Sequence, residues 1–184
     1  MITMRGKLIT LEPLDIEKHA KGYFEVSQDE SIHKYVGNNV PKDLDEIFAL
    51  LKKYERYFMN WMIISNETHN VIGIIRLGNP ELENGVLVAG ESQFLSPQYW
   101  RKGHMKEAKR LFYQYVFDVL SVEILYADVW EGNINSIRSL EFYGYKLIET
   151  TNDFFGKTGK LTKKYIFSLS KKDYQLNAKA SFSE

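Results

Sequence analysis

The chain is 184 residues long, about one domain's worth when domains run to roughly 100–200 residues. Hydrophobic residues make up 44% and charged residues 26%, and 24 basic residues offset 24 acidic ones, which argues against a dedicated nucleic-acid binder. There is no cysteine, which excludes a disulfide scaffold, a thiolate metal site and a cysteine nucleophile together.

No apolar run approaches the roughly 20 residues of a membrane span, and the opening Met-Ile-Thr-Met-Arg-Gly-Lys lacks the apolar stretch of a signal peptide. The expectation is a cytoplasmic single domain over residues 1–170, followed by a polar, frayed tail over 171–184. Residues 7–12 alternate apolar and polar side chains and stop at Pro13, which predicts an edge strand. Asp15 stands where an N-cap would, ahead of a helix through about Val26, and a short helix is expected from Asp29 to about Tyr35. Asp43 caps a clearer helix, with Leu44, Ile47, Leu50, Leu51 and Tyr54 at helical spacing.

Two strands follow, over 57–65 and 71–77, joined by a turn in which Asn and His tolerate left-handed backbone. A fourth strand spans 86–95 after the punctuation of Asn79-Pro80 and Asn84-Gly85. Beyond Gly103 the pattern is helical. Met105, Ala108, Phe112, Tyr115 and Val119 form the apolar face, and Lys106, Lys109, Arg110 and Gln114 lie away from it. Residues 122–130 read as a buried inner strand, Asn133 opens a short helix ending at Gly144, and strands over 145–150 and 164–169 complete the pattern. A helix links the fourth and fifth strands, so a parallel pair with a right-handed crossover is the connection to look for in this α/β chain.

The chemically informative region runs from the fourth strand into Gln98-Tyr99-Trp100-Arg101-Lys102-Gly103-His104-Met105. A glycine turn at a helix N-terminus presents unpaired N–H groups and the positive end of the helix dipole, which suits a phosphate or pyrophosphate. Arg101, Lys102 and Lys106 add charge nearby. Alone, such a segment is more often a solvated loop. A second element, Asn133-Ile134-Asn135-Ser136 followed by Glu141-Phe142-Tyr143-Gly144-Tyr145, lies one helix and one strand downstream.

Together the two elements resemble the GNAT superfamily of N-acetyltransferases, and in particular the branch that contains the ribosomal-protein alanine acetyltransferases RimJ and RimL. Leu11-Glu12-Pro13-Leu14 also fits that branch, so the resemblance runs to about Leu169. It implies a GNAT fold: a mixed sheet of about seven strands with helices on both faces, whose parallel fourth and fifth strands splay to hold acetyl-CoA. The implied reaction is direct acetyl transfer to an amine acceptor, without metal. That acceptor would lie between the N-terminal helices and the last two strands, and a small amine, an amino sugar and a protein N-terminus all stay open. A homodimer is compatible with this reading.

The resemblance places Phe94, Leu95, Trp100, Arg101, Lys102, Gly103, His104 and Met105 along the cofactor, with contacts made through backbone. Asn133 would hold a pantetheine amide or cap its helix, and Ser136 would stand near the coenzyme A sulfur. Glu91 is the first candidate for the base, against an ordinary ion pair; Asp153, found by counting back from Tyr165, is the second. The four histidines, His19, His33, His69 and His104, show no metal-ligand spacing. Met105 stands where a small residue is usual and Leu140 where many members carry an acid tyrosine. These departures keep a CoA-binding module without transfer activity as the alternative; an unrelated nucleotide-phosphate binder would leave the Asn133 and Ser136 element unexplained.

Overall fold

Each of the first three helices starts at an aspartate whose carboxylate accepts a backbone N–H inside the first turn: Asp15 from Lys18, Asp29 from Ser31 and Asp43 from Glu46. These are α1 (Ile16–Val26), α2 (Glu30–His33) and α3 (Leu44–Tyr57). The computed structural model describes residues 1–181, which fall into two compact units, one of Met1–Asn79 with Glu91–Leu120, the other of Pro80–Gly90 with the chain from Ser121 onward.

In the first unit, β1 (Met4–Arg5), β2 (Ile9–Pro13), β3 (Phe58–Ser65), β4 (Val71–Gly78) and the second half of β6 (Val86–Leu95) form an antiparallel sheet in that order. The segment expected to be an edge strand is therefore internal, because Met4 and Arg5 pair outside it; two residues are too few to leave a periodic signal. One sheet face, carrying Met62, Ile64 and Ile74, packs on Ala20 and Tyr23 of α1 and Ile47, Leu51 and Tyr54 of α3. The opposite face carries Trp61, whose ring meets Phe112 and Tyr115 edge-on at centroid distances of 5.8 and 5.6 Å.

Phe112 belongs to α4 (His104–Gln114), which passes directly into a π-helical turn over Tyr115–Val119. Widening the last turn changes which residues face inward. Tyr115, Val116 and Phe117 are buried, whereas Val119, expected on the apolar face, is exposed. Met105, on that same expected face, is only half-buried, and Lys109, expected in solvent, is fully buried.

In the second unit, β5 (Glu81–Glu83) turns through Asn84 and Gly85, both at positive φ, to pair with the start of β6. β6 then pairs in parallel with β7 (Ile124–Trp130) from Val88↔Ile124 to Gly90↔Tyr126. The parallel ladder stops there, although β6 continues to Leu95 and β7 to Trp130. Asn133 caps α5 (Ile134–Phe142) by accepting the Ser136 N–H at 3.3 Å. β7 pairs with β9 (Lys160–Ser170), and β9 with β8 (Lys146–Phe155). This last hairpin is longer than its apolar pattern because residues 151–154 and 160–163 keep the ladder with largely exposed side chains.

The sheet is thus mixed and open, as the α/β expectation had it, with nine strands among the described residues rather than about seven. Residues 171–181, read from composition as a frayed tail, form α6 (Lys171–Ser181), whose start is held by the Ser170 hydroxyl donating to Asp173 at 2.7 Å. Residues 182–184 of that tail lie outside the described residues. Among the described residues, no helix is long and apolar enough to cross a membrane.

Candidate functional site

The chain leaves β6 at Leu95, makes one 3-10 turn over Pro97–Tyr99 and enters α4 through Gly103. Arg101 and Gly103 both adopt left-handed backbone, at φ 59° and 85°. At Gly103 this conformation is natural only for a residue without a β-carbon. Unlike α1, α2, α3 and α5, α4 has glycine at its N-cap, so no N-cap side chain accepts a first-turn N–H there. Arg101 and Lys102 are exposed beside that end, and the half-exposed Trp100 pins the loop by donating its indole N–H to the Leu95 carbonyl at 2.6 Å. His104 is buried and stands edge-on to Tyr99 at 5.1 Å.

Under this loop sits a contact that the sequence pattern did not single out. Glu107, one turn into α4, accepts three consecutive backbone N–H groups, from Lys7, Leu8 and Ile9, at 2.8, 2.6 and 3.0 Å. The carboxylate thereby ties the approach to β2 to the first turn of α4. A β-carbon on Gly6 would collide with that carboxylate.

Phe94 and Leu95 are strand-end residues of β6; the Phe94 ring meets Tyr23 of α1 at 5.5 Å. Glu91 lies on the opposite face of β6, toward α4. Its side chain is sealed from solvent, with Oε1 accepting from the Tyr113 hydroxyl at 2.9 Å and lying 3.5 Å from Lys109 Nζ. Burial pushes Lys109 below the ordinary lysine range, and the Glu91 charge opposes that shift. A proton acceptor must come within hydrogen-bond reach of the proton it removes. In this arrangement Oε1 of Glu91 is engaged and Oε2 is buried without a hydrogen-bond partner, so the sealed side chain has the ion-pair geometry weighed against the base role above.

Asn133 and Ser136 stand together at the start of α5, where the Asn133 side chain serves as the cap. Asp153 lies on β8 opposite Thr162, with its side chain about half exposed. It accepts the Thr151 hydroxyl at 3.1 Å and lies 4.0 Å from Lys164 Nζ, which is 3.0 Å from Asp128. Lys164 also lies 5.5 Å from the centre of the Trp130 ring, and Trp130 stacks on Phe155 at 4.5 Å. The expected site residues therefore form three groups: Glu91 with the segment through Met105, the Asn133 and Ser136 pair, and Asp153 in the long hairpin. Among the described residues, no three His, Asp or Glu side chains gather as a metal-binding group.

The profile of the acetyltransferase (GNAT) domain matches residues 9–146. The chain belongs to that family. Its sequence is 26% identical over 179 residues to the uncharacterized N-acetyltransferase p20 of Bacillus licheniformis, across 95% of this chain and 99% of that protein. The fold is shared with a GCN5-related N-acetyltransferase from Brucella melitensis, with a TM-score of 0.85 at 24% identity over 97% of this chain and 83% of that one. It is also shared with the spermidine N-acetyltransferase from Vibrio cholerae in complex with CoA and spermine, with a TM-score of 0.76 at 17% identity over 92% and 99% of the two chains.

Proposed function

We propose that this chain moves the acetyl group of acetyl-CoA to a primary amine by direct transfer, in the manner of the RimJ and RimL branch. The observation that carries the proposal is the N-terminus of α4, whose N-cap is the left-handed Gly103 rather than a capping side chain, closely following β6 in a chain of the GNAT family. Backbone N–H groups there suit a diphosphate, and Arg101 and Lys102 would add charge-assisted contacts. The end of the parallel ladder at Gly90 supports a strand-like pairing of the pantetheine arm along residues 91–95. The spermidine enzyme of the same fold binds CoA, which supports the same reading here.

Bound acetyl-CoA supplies a thioester carbon open to attack. The C–N bond forms at that carbon, the C–S bond breaks, and the sulfur leaves as a thiolate that takes up a proton. The residues of this chain have two tasks. One is to accept the proton released from the amine, and Asp153, half exposed, has an oxygen free to approach it. The other is to settle the departing sulfur, which this reading gives to Ser136, with Asn133 holding the start of α5 in place. Glu91 acts in it as a positioning residue that joins β6 to α4. A small amine, an amino sugar and a protein N-terminus are the acceptor classes; a cytoplasmic location and a homodimer belong to the same proposal.

A second reading is a CoA-binding module without transfer, favoured by Leu140, which fills its helix position as a buried apolar side chain. An amine panel assayed by release of the CoA thiol separates the two. The proposal expects amine-dependent thiol release; CoA binding with no release above the amine-free rate, across all three acceptor classes, selects the module.

A further inference from the structure

Arg76 is a cation set among aromatic rings without an anion. It breaks the otherwise apolar run of β4, is half-buried, and has its guanidinium carbon 4.1 Å from the centre of the Tyr54 ring and 5.2 Å from that of Phe58. No hydrogen bond or ion pair joins the guanidinium to another described residue, and its Nε is sealed from solvent without an acceptor. The nearby Tyr23 phenol is pushed well above its ordinary range by burial, so it is no counter-ion.

The register places Arg76 directly between Asn60 on β3 and Ser92 on β6. In an antiparallel sheet opposed residues share a face, and this one is the face that packs on α1 and α3. Ser92 lies within the 91–95 segment assigned above to the pantetheine arm, and adjacent strands are about 4.8 Å apart. A guanidinium whose plane is fixed by stacking keeps its edge N–H groups aligned for the two oxygens of a carboxylate or phosphate.

We propose that Arg76 anchors an anionic group, a carboxylate or a phosphate, carried by the amine acceptor. The inference rests on the acetyl-transfer reading and narrows its acceptor to amines that bear an oxyanion. An acceptor that is cationic along its whole length, such as a polyamine, meets a like charge at Arg76 and is disfavoured.

The test uses matched amines with the full-length protein and acetyl-CoA: β-alanine against propylamine for the carboxylate arm, glucosamine 6-phosphate against glucosamine for the phosphate arm, and spermidine. The readout is kcat/KM from thiol release. One anionic member should exceed its neutral partner by about ten- to a hundredfold, the range for a charged hydrogen-bonded contact. Arg76→Gln should remove that preference while leaving CoA affinity unchanged. Arg76→Lys, which keeps the charge and loses the fork, should retain an intermediate preference and guards against a folding failure of the first variant. Equal rates within both pairs, a spermidine rate above the anionic amines, or a preference that survives Arg76→Gln would each overturn the proposal while leaving acetyl transfer standing. If CoA binds and none of the amines is acetylated, calorimetry with inorganic phosphate and with acetate decides: binding lost in Arg76→Gln upholds the anchor, and no binding to wild type overturns it. Failure to bind CoA would instead overturn the function on which the inference rests.

Discussion

Glu91 and Lys109 form an ion pair, Oε1 to Nζ 3.5 Å, in which neither side chain is exposed to solvent. The two residues sit on β6 and α4, the elements on either side of the glycine turn. The pair therefore fixes the helix that presents its N-terminus against the strand that leads to it. Tyr113 completes the arrangement by donating its hydroxyl to the same carboxylate oxygen.

Removing one partner of a buried pair leaves an uncompensated charge, whereas replacing both with apolar groups of similar size can be neutral. Lys109→Met should accordingly lower the unfolding free energy by about 3–5 kcal/mol, and the double variant Glu91→Leu/Lys109→Met should recover most of it. Urea denaturation of wild type and these two variants measures this. A Lys109→Met protein as stable as wild type would contradict the sealed geometry.

The Glu107 clamp makes a local prediction. Glu107→Gln keeps one oxygen but turns an amide N–H against donors, so the backbone N–H groups of Leu8 and Ile9 should exchange faster with solvent. A stability loss of roughly 1.5–3 kcal/mol is expected for hydrogen bonds to a charged group. Gly6→Ala should produce the same exchange pattern by displacing the carboxylate. Unchanged protection at both residues would contradict the clamp.

Much of the fold was legible. Asp15, Asp43 and Asn133 cap the helices that their positions predict, and β6 has the bounds that its sequence pattern predicts. The errors have physical causes. The charge of Lys109 suits an outer helix face, and only tertiary pairing brings Glu91 opposite it in the interior. A regular 3.6-residue period places Val119 inside, but the segment closes as a π turn and turns it outward. Residues 151–163 fall outside the strands that the sequence predicts because both sides of that hairpin are polar, and the ladder rather than burial holds it. At the candidate site the glycine turn was visible from its motif. The roles of Glu107 and Arg76 were not, although an arginine inside an apolar strand was a signal that could have been followed.

His19 gives the protein a pH dependence of predictable sign. Its Nδ1 accepts the Asp15 backbone N–H at 3.1 Å and Nε2 lies 3.3 Å from Glu12, so the buried ring is held neutral. Burial lowers its pKa below the ordinary histidine value, with Glu12 opposing. Between the lowered folded value and the ordinary unfolded value, the unfolded chain binds the proton and the folded chain does not. Stability should therefore fall as the pH drops through that window, by at most about 1.4 kcal/mol per pH unit. His19→Gln should flatten this slope in unfolding experiments between pH 7.5 and 5.5. A variant with the wild-type slope would contradict the assignment.

The proton and the leaving group separate by kinetics. Asp153→Asn should lower turnover at pH 7 by about 10²–10⁴, the span for losing general acid–base catalysis, with partial rescue at higher pH. Glu91→Gln should change stability more than it changes the pH profile. Ser136→Ala should lower kcat more than it changes acetyl-CoA affinity, as for a contact made mainly in the transition state. Collapse of turnover in Glu91→Gln with an unaffected Asp153→Asn would reverse the two carboxylate roles.

Calorimetric titration of CoA and of pantetheine, which lacks the diphosphate, into wild type and Gly103→Val tests whether the glycine turn holds the diphosphate. CoA should bind wild type at least tenfold more tightly than pantetheine does, the equivalent of about 1.4 kcal/mol. Gly103→Val should lose this advantage with its fold intact, because left-handed backbone at 85° is strained for a β-branched side chain. Equal affinities of the two ligands for wild type, or undiminished CoA binding in a folded Gly103→Val protein, would contradict that role.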